Sequence, residues 1–278
     1  MFTSKVVTLF VLLILGATAV RAQPVETPTL YLGSVAMDVP AEMVKRLKPL
    51  ASYLTVHTGM NVLFRASPNM DAAIADLGSG VTRIAYMTPV AYVEARRKYG
   101  VQPLVAPLTD GKSTFRLVVA VKRTSPLHSV SELKGKTFAF GDERARLQQA
   151  VVVGAGIALT EFSSYAFLKH YDNIAKAVLN DDFDAGILTE GVFREFSPRG
   201  LRALHLSPPL PSYLFAVHSG LPSATIEKLR AAFLSLRIDV PEHREILHQL
   251  GTGYDGFAPA QDKDYDTVRK LIAPFAEK

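Results

Sequence analysis

The polar groups best placed to hold a small ligand gather in one stretch. It runs from His170-Tyr171-Asp172-Asn173 through Ile174-Ala175-Lys176-Ala177-Val178 and on to Asp184-Ala185-Gly186. Ile174, Ala177 and Val178 recur at helical spacing, so a short amphipathic helix is predicted, then a turn and an apolar strand. Asp172 reads as the N-cap of that helix. Free N–H groups at a helix start receive anions, but the Asp172 carboxylate would compete for them. Two roles therefore stand for Tyr171 and Asp172: ligand contact, or capping alone. A second candidate pair is Tyr86 and Thr88, at the end of the strand predicted within Thr82–Pro89. Thr88 can donate a hydroxyl to a ligand oxygen, and Tyr86 is either a ligand contact or a residue at the edge of the core. Glu190, which opens the helix after the Asp184–Leu188 strand, completes this group.

Other chemistries fail on spacing. Gly111-Lys112-Ser113 lacks the earlier glycine of a phosphate-binding loop, because position 106 is Ala, and a strand rather than a helix follows. Gly154-Ala155-Gly156 has Leu159 where a dinucleotide fingerprint needs its third glycine, so it reads as a helix stop. The seven histidines form no His-Glu-x-x-His pattern, and His243 and His248 diverge around a helix. Asp181, Asp182 and Asp184 lack calcium-loop spacing and read as a solvated turn, Asp184 excepted because it starts the buried strand. There is no Gly-x-Ser-x-Gly elbow and no cysteine, hence no thiolate nucleophile, thiolate metal site or disulfide frame. No cofactor, metal or catalytic residue is expected.

These residues must be carried by elements, and the elements read as α/β. Strand and helix signals alternate from Thr29 to Pro107: Thr29–Val35, a helix bearing Val44, Leu47, Ala51 and Leu54, Asn61–Arg65, Met70–Leu77, the strand before Pro89, Val90–Tyr99 and Val101–Pro107. That order implies a mostly parallel sheet, with ligands at the carboxyl ends of its strands. Phe115–Lys122 is a central strand and a crossing between lobes. Thr137–Phe140, Asp184–Leu188 and Leu201–Leu206 are further strands, and Glu143–Val153, Ser163–Lys169, Asp172–Leu179 and Glu190–Phe196 are helices. Ser207-Pro208-Pro209-Leu210-Pro211 is a rigid return crossing to Tyr213–Val217, and residues 222–278 read as largely helical. The expectation is two α/β lobes, 29–114 plus 215–278 and 115–214, with the ligand between them.

The N-terminus adds a location. Lys5, the apolar run Val6–Leu15 and the small residues before Ala22 have the order of a cleavable secretory signal, cut after Ala22. Losing Lys5 and Arg21 lowers the net charge from +5 to +3. That mildly favours small anions. No dense basic stripe with aromatics is present, so nucleic acid is not an expected partner.

Five segments in register carry a family resemblance. They are Pro49-Leu50-Ala51-x-Tyr53-Leu54, Thr58-Gly59-x-Asn61-Val62, Ile84-Ala85-Tyr86-Met87-Thr88-Pro89-x-Ala91-Tyr92, Leu133-Lys134-Gly135-Lys136-Thr137-Phe138-Ala139-Phe140-Gly141-Asp142, and Asp172–Val178 with Asp184-Ala185-Gly186. Over residues 29–240 the chain resembles the phosphate/phosphite/phosphonate-binding proteins of ABC importers. The resemblance implies a type II periplasmic-binding-protein-like fold: two lobes, each a mostly parallel sheet flanked by helices, joined by two hinge strands. It implies a periplasmic monomer that closes on a small oxyanion without catalysis and delivers it to an inner-membrane permease. A sensor handing its ligand-bound state to a membrane kinase is the alternative. In the family, contacts come from the strand end matching Tyr86–Thr88, from the loop after Phe-Gly-Asp, and from the helix start after His-Asp. This chain departs from the pattern twice. Glu143-Arg144-Ala145-Arg146-Leu147-Gln148 stands where a Ser-Thr-Ser-Gly run is usual, and Tyr171 replaces the histidine before Asp172. Arg144 or Arg146 could grip a carboxylate, sulfonate or phosphate in bidentate fashion. The other reading makes them surface arginines of a helix.

Overall fold

The computed structural model describes residues 29–35, 40–141, 143, 146–251 and 253–275. The signal segment, Met37–Val39, Asp142, Arg144 and Ala145 lie outside the described residues. The chain begins with β1 (Thr29–Ser34), α1 (Pro40–Thr58), β2 (Asn61–Phe64), α2 (Met70–Ser79), β3 (Ile84–Met87), α3 (Pro89–Tyr99) and β4 (Gln102–Thr109). It crosses over at β5 (Thr114–Phe115). The second set is β6 (Leu117–Lys122), β7 (Thr137–Phe140), α4 (Arg146–Gly154), β8 (Ser164–Phe167), α5 (Tyr171–Leu179), β9 (Ala185–Thr189), α6 (Glu190–Phe196) and β10 (Leu201–Leu206). It returns through β11 (Leu210–Pro211) to β12 (Leu214–Val217), α7 (Ser223–Leu234), α8 (Pro241–Leu250), β13 (Tyr254–Pro259) and α9 (Asp266–Ile272).

Two sheets result. The first has the order β13-β4-β12-β3-β1-β2 and the second β10-β6-β9-β7-β8, while β5 and β11 pair with each other between them. In the first sheet β1, β2, β3 and β4 run one way, and the returning β12 and β13 run against them. In the second only β6 is reversed. This is the two-lobed α/β fold expected, with antiparallel strands supplied where the chain enters or returns through the hinge.

Local signals explain most boundaries. Asn69 caps α2 by accepting from the Ala72 amide at 2.8 Å. Gly80 ends it in the left-handed region at φ 80°, so Gly78 lies inside the helix rather than beyond it. In α1, Leu47, Ala51 and Leu54 are buried as expected, but Val44 is 43% exposed and its neighbour Met43 takes the inward position. The Thr109–Ser113 turn is made by Asp110 and Gly111, both with positive φ, and closes in mutual bonds between Thr109 and Lys112.

Three sequence expectations are corrected. Ser163–Lys169 is not a helix. Its middle is strand β8, in parallel register with β7, and Phe167 packs 5.8 Å from Phe140. Ser-Tyr-Ala-Phe alternates at strand period, and Lys169, at φ 65°, ends the run. Residues 222–278 contain the strand β13, which pairs along β4 with a register shift between Tyr254 and Gly256. Gly256 and Pro259 conceal it in the sequence, yet an edge strand tolerates both. The helix expected from Glu143 begins at Arg146.

Helices cover both sheets. The core of α1, α7 and α8 against the first sheet includes Leu47, Leu50, Leu54, Phe215 and Phe233. On the second sheet α5 and α6 bury Ile174, Val178 and Phe196. A third cluster is continuous across both lobes, joining Tyr92 of α3 and Val268 of α9 to Val151 and Val152 of α4. The terminal α9 therefore lies against α3 of one lobe and α4 of the other.

Candidate functional site

The topology brings the carboxyl ends of the strands together. β5 joins β4 to β6, and the start of β6 lies beside the end of β9 through the Leu117–Thr189 pairing. β11 leads into β12, whose start lies beside the end of β3 through Leu214–Met87. Both sheets thus present the ends of their parallel strands toward the hinge, which is where α/β sheets commonly take ligands.

From the first lobe Thr88 reaches this edge. It is the N-cap of α3, with φ −69° and ψ 157°, and its Oγ1 accepts from the Ala91 amide at 3.1 Å. The oxygen is used and the hydroxyl proton is left to donate. Tyr86 does not line the cleft. It is 2% exposed, its ring lies 4.8 Å from Phe215, and its hydroxyl shares a 2.6 Å hydrogen bond with that of Tyr254. Burial, with Tyr254 beside it, pushes its pKa well above an ordinary phenol. Successive strand residues face opposite ways, so Tyr86 fills the core under α1.

The second lobe supplies more. Thr189, which sequence reasoning missed, caps α6 with φ −70° and ψ 153°, and its Oγ1 accepts from the Val192 amide at 3.4 Å. It repeats Thr88 in backbone and role. The signal was present: an apolar strand ending in Thr directly before a helix, in both lobes. Glu190 follows it, half-buried, and its amide donates to the Arg116 carbonyl at 3.1 Å. Among the described residues its carboxylate has no hydrogen-bond or ion-pair partner.

Tyr171 opens α5, and the N-cap is His170 rather than Asp172. His170 has the extended backbone of a cap (φ −103°, ψ 139°), which places Asp172 second in the helix, exposed. There its charge still suits the helix dipole without a capping bond. The Tyr171 ring packs against the cores, and its hydroxyl accepts from Gln148 Nε2 at 2.9 Å. Burial raises its pKa, and the Gln148 bond opposes that in part. Arg146 is the first residue of α4, exposed, and without an ion pair among the described residues. Its neighbour Arg144 lies outside them.

Two further residues that sequence reasoning passed over brace the hinge. Ser207 is fully buried; its Oγ accepts from the Leu117 amide at 3.0 Å and donates to the Pro208 carbonyl at 2.8 Å. Arg116 donates to the Ser207 carbonyl at 2.8 Å, which ties the outgoing strand to the return connector. Asp184, by contrast, lies at the far end of its sheet. There it accepts from the Thr137 amide and hydroxyl, at 2.8 and 3.0 Å, and holds two strands together.

Thr88, Arg146, Tyr171 and Glu190 follow the strands β3, β7, β8 and β9 in the chain, with Asp172 next to Tyr171, while Tyr86 lies in the core. Hydroxyl donors from both lobes and one guanidinium suit a small oxyanion. No cluster of metal-ligating side chains occurs among the described residues. None of their helices is long and apolar enough to cross a membrane.

A family model described as "ABC transporter, phosphonate, periplasmic substrate-binding protein" matches residues 32–265. Among solved structures, PhnD1 from Prochlorococcus marinus in complex with methylphosphonate is similar, with a TM-score of 0.70 and 19% identity over 89% of this chain and 98% of that one. XAC2383 from Xanthomonas citri bound to ATP gives a TM-score of 0.73 and 21% identity, covering 88% and 96%. A binding protein component of an ABC phosphonate transporter from Pseudomonas aeruginosa gives 0.66 and 17%, covering 88% and 86%. At these identities the likeness to each structure shows the fold.

Proposed function

The chain belongs to the phosphonate periplasmic substrate-binding protein family of ABC transporters, and from that premise we propose that it captures a small, singly protonated oxyanion of the phosphonate, phosphite or phosphate class. Members of this family are solute-binding proteins rather than enzymes, work in the periplasm, and serve a membrane permease. The ligand sits between Thr88 of the first lobe and Thr189, Glu190 and Tyr171 of the second, and the lobes close about the paired strands β5 and β11. One monomer holds the complete site.

The observation that carries this reading is the pair of threonine caps. Thr88 and Thr189 have nearly the same backbone angles, sit at equivalent strand-to-helix turns, and each spend only the hydroxyl oxygen on the helix. One donor from each lobe rewards closure, because both bonds form only when the lobes meet. Glu190 refines the class. A half-buried carboxylate beside anion donors repels a fully ionised ligand and accepts from one that carries a proton. A monohydrogen phosphonate has that proton and a sulfonate does not.

A melting screen tests the reading, with methylphosphonate, phosphite, phosphate, methanesulfonate and succinate as the panel. A ligand at a hundred times its dissociation constant stabilises by about 2.7 kcal/mol. For a chain of this size that raises Tm by roughly 5–10 °C. If no phosphorus oxyanion raises Tm while succinate or methanesulfonate does, the proposed ligand class is wrong. If nothing does, the site itself is misplaced.

A further inference from the structure

Gln148 is the least expected polar residue near the cleft. It is 5% exposed, in the middle of an otherwise apolar helix face with Leu147, Ala150 and Val151. Both ends of its amide are used. Oε1 accepts from the Gly141 amide at 2.8 Å, and Nε2 donates to the Tyr171 hydroxyl at 2.9 Å. The Gly141 carbonyl in turn accepts from the Lys169 amide at 2.8 Å, so both backbone groups of that residue are held. A Cβ at position 141 would stand 2.8 Å from Gln148 Nε2, which is why glycine is needed for the amide to approach. One side chain therefore locks the loop leaving β7 to the turn that opens α5.

The consequence lies in the Tyr171 hydroxyl. A phenolic O–H prefers the ring plane, with two positions on either side of the oxygen. Gln148 Nε2 donates and so occupies one of them as an acceptor site. The proton must take the other. Among the described residues nothing accepts it, although the ring is packed into the core. A donor direction that the fold leaves unused on this part-buried residue is one that a ligand oxygen can take.

We propose that Gln148 is a positioning residue that orients the Tyr171 hydroxyl as an oxyanion donor in the second lobe. Gln148 itself does not touch the ligand; it fixes which way the phenolic proton points and where the Gly141 backbone lies. This rests on the reading of the cleft as an oxyanion site.

The test is a double-mutant cycle read by calorimetric titration with methylphosphonate, on Gln148→Leu, Tyr171→Phe and the pair. Losing one such hydrogen bond weakens binding by about tenfold. Tyr171→Phe keeps the ring packing but leaves Gln148 Nε2 without its acceptor, so it should show that loss together with a fall of a few degrees in the unliganded Tm. Gln148→Leu should show a similar loss, and the double variant should bind no more weakly than Tyr171→Phe alone, because Gln148 acts through Tyr171. Additive losses, or a Tyr171→Phe protein that binds as well as the wild type, overturn the proposal and leave the oxyanion reading standing. Gln148→Glu guards against a misfolded leucine variant. Its carboxylate still accepts from Gly141 but also accepts the Tyr171 proton; burying that charge lowers Tm as well, so the affinity is read well below the melt, where it should fall, and unchanged affinity refutes the role. A wild-type protein that binds none of methylphosphonate, phosphite or phosphate removes both readings together.

Discussion

The terminal helix offers the sharpest energetic prediction. Just before α9, Asp262 is a hub: its Oδ1 accepts from the Tyr92 hydroxyl at 2.6 Å, pairs with Arg269, and lies 3.7 Å from Arg96 Nε. Tyr92 and Arg96 belong to α3, and Arg269 to α9, so this hub fastens the element that also packs on α4. Tyr92 is fully buried, and Asp262→Ala leaves its hydroxyl without an acceptor. A hydrogen bond to a charged acceptor contributes about 1.5–3 kcal/mol. The two arginine pairs are partly exposed and add roughly 0.2–1 kcal/mol each. The variant should therefore be destabilised by about 3 kcal/mol, or on the order of 6–12 °C in Tm. Tyr92→Phe should cost less, and the double variant should lose far less than the sum. Acid provides a second check. Burial works to raise the Asp262 pKa, but the Tyr92 and Arg269 hydrogen bonds outweigh it and hold the carboxyl below its ordinary value. Its stabilisation is then complete above the unfolded value of about 3.9 and is lost as pH falls through the lower folded one. Thermal melts should show a constant gap between wild type and Asp262→Ala from neutral pH to mild acid, closing at more acid pH. A variant that melts with the wild type at neutral pH would refute the account of α9 as an anchored strap.

Other consequences are open to direct measurement. Thr88→Val and Thr189→Val should each weaken methylphosphonate binding by about tenfold and lower Tm by only about 2–4 °C, since a donor and one cap bond are removed; calorimetry decides, and a loss from neither would empty the cleft of its central pair. Glu190→Gln should let methanesulfonate bind where the wild type rejects it, and a competition titration showing unchanged selectivity would discount that carboxylate. Ser207→Ala removes a buried hydroxyl that serves Leu117 and should destabilise by roughly 1–3 kcal/mol in denaturant titrations. Mass spectrometry of protein secreted from a bacterial host should find Gln23 at the N-terminus, and a mass retaining residues 1–22 would argue against cleavage.

Much of the fold was legible because it is written in local pattern. The alternation from Thr29 to Pro107 and the proline-rich return at Pro208–Pro211 each act within a few residues. The edge strands were not, because β8 and β13 owe their state to a neighbour: β7 pairs the first, and β4 accepts the second despite Gly256 and Pro259. The site divides in the same way. Thr88, Glu190 and the α5 start could be named from strand-to-helix punctuation, and family resemblance supplied the kind of ligand. The side a residue faces was decided only in three dimensions. Tyr86 and Thr88 are two positions apart, yet one hydroxyl is spent on Tyr254, a residue of the distant β13, and the other stands at the hinge edge. The opening stretch His170–Gly186 shows both limits. Its sequence specified an amphipathic helix and a buried strand, since apolar spacing alone determines those. That Asp184 braces Thr137, and that Tyr171 is held by Gln148, depended on contacts between residues 47 and 23 apart in the chain. No local pattern encodes such pairings, because loop closure and packing choose them only once the second lobe has formed.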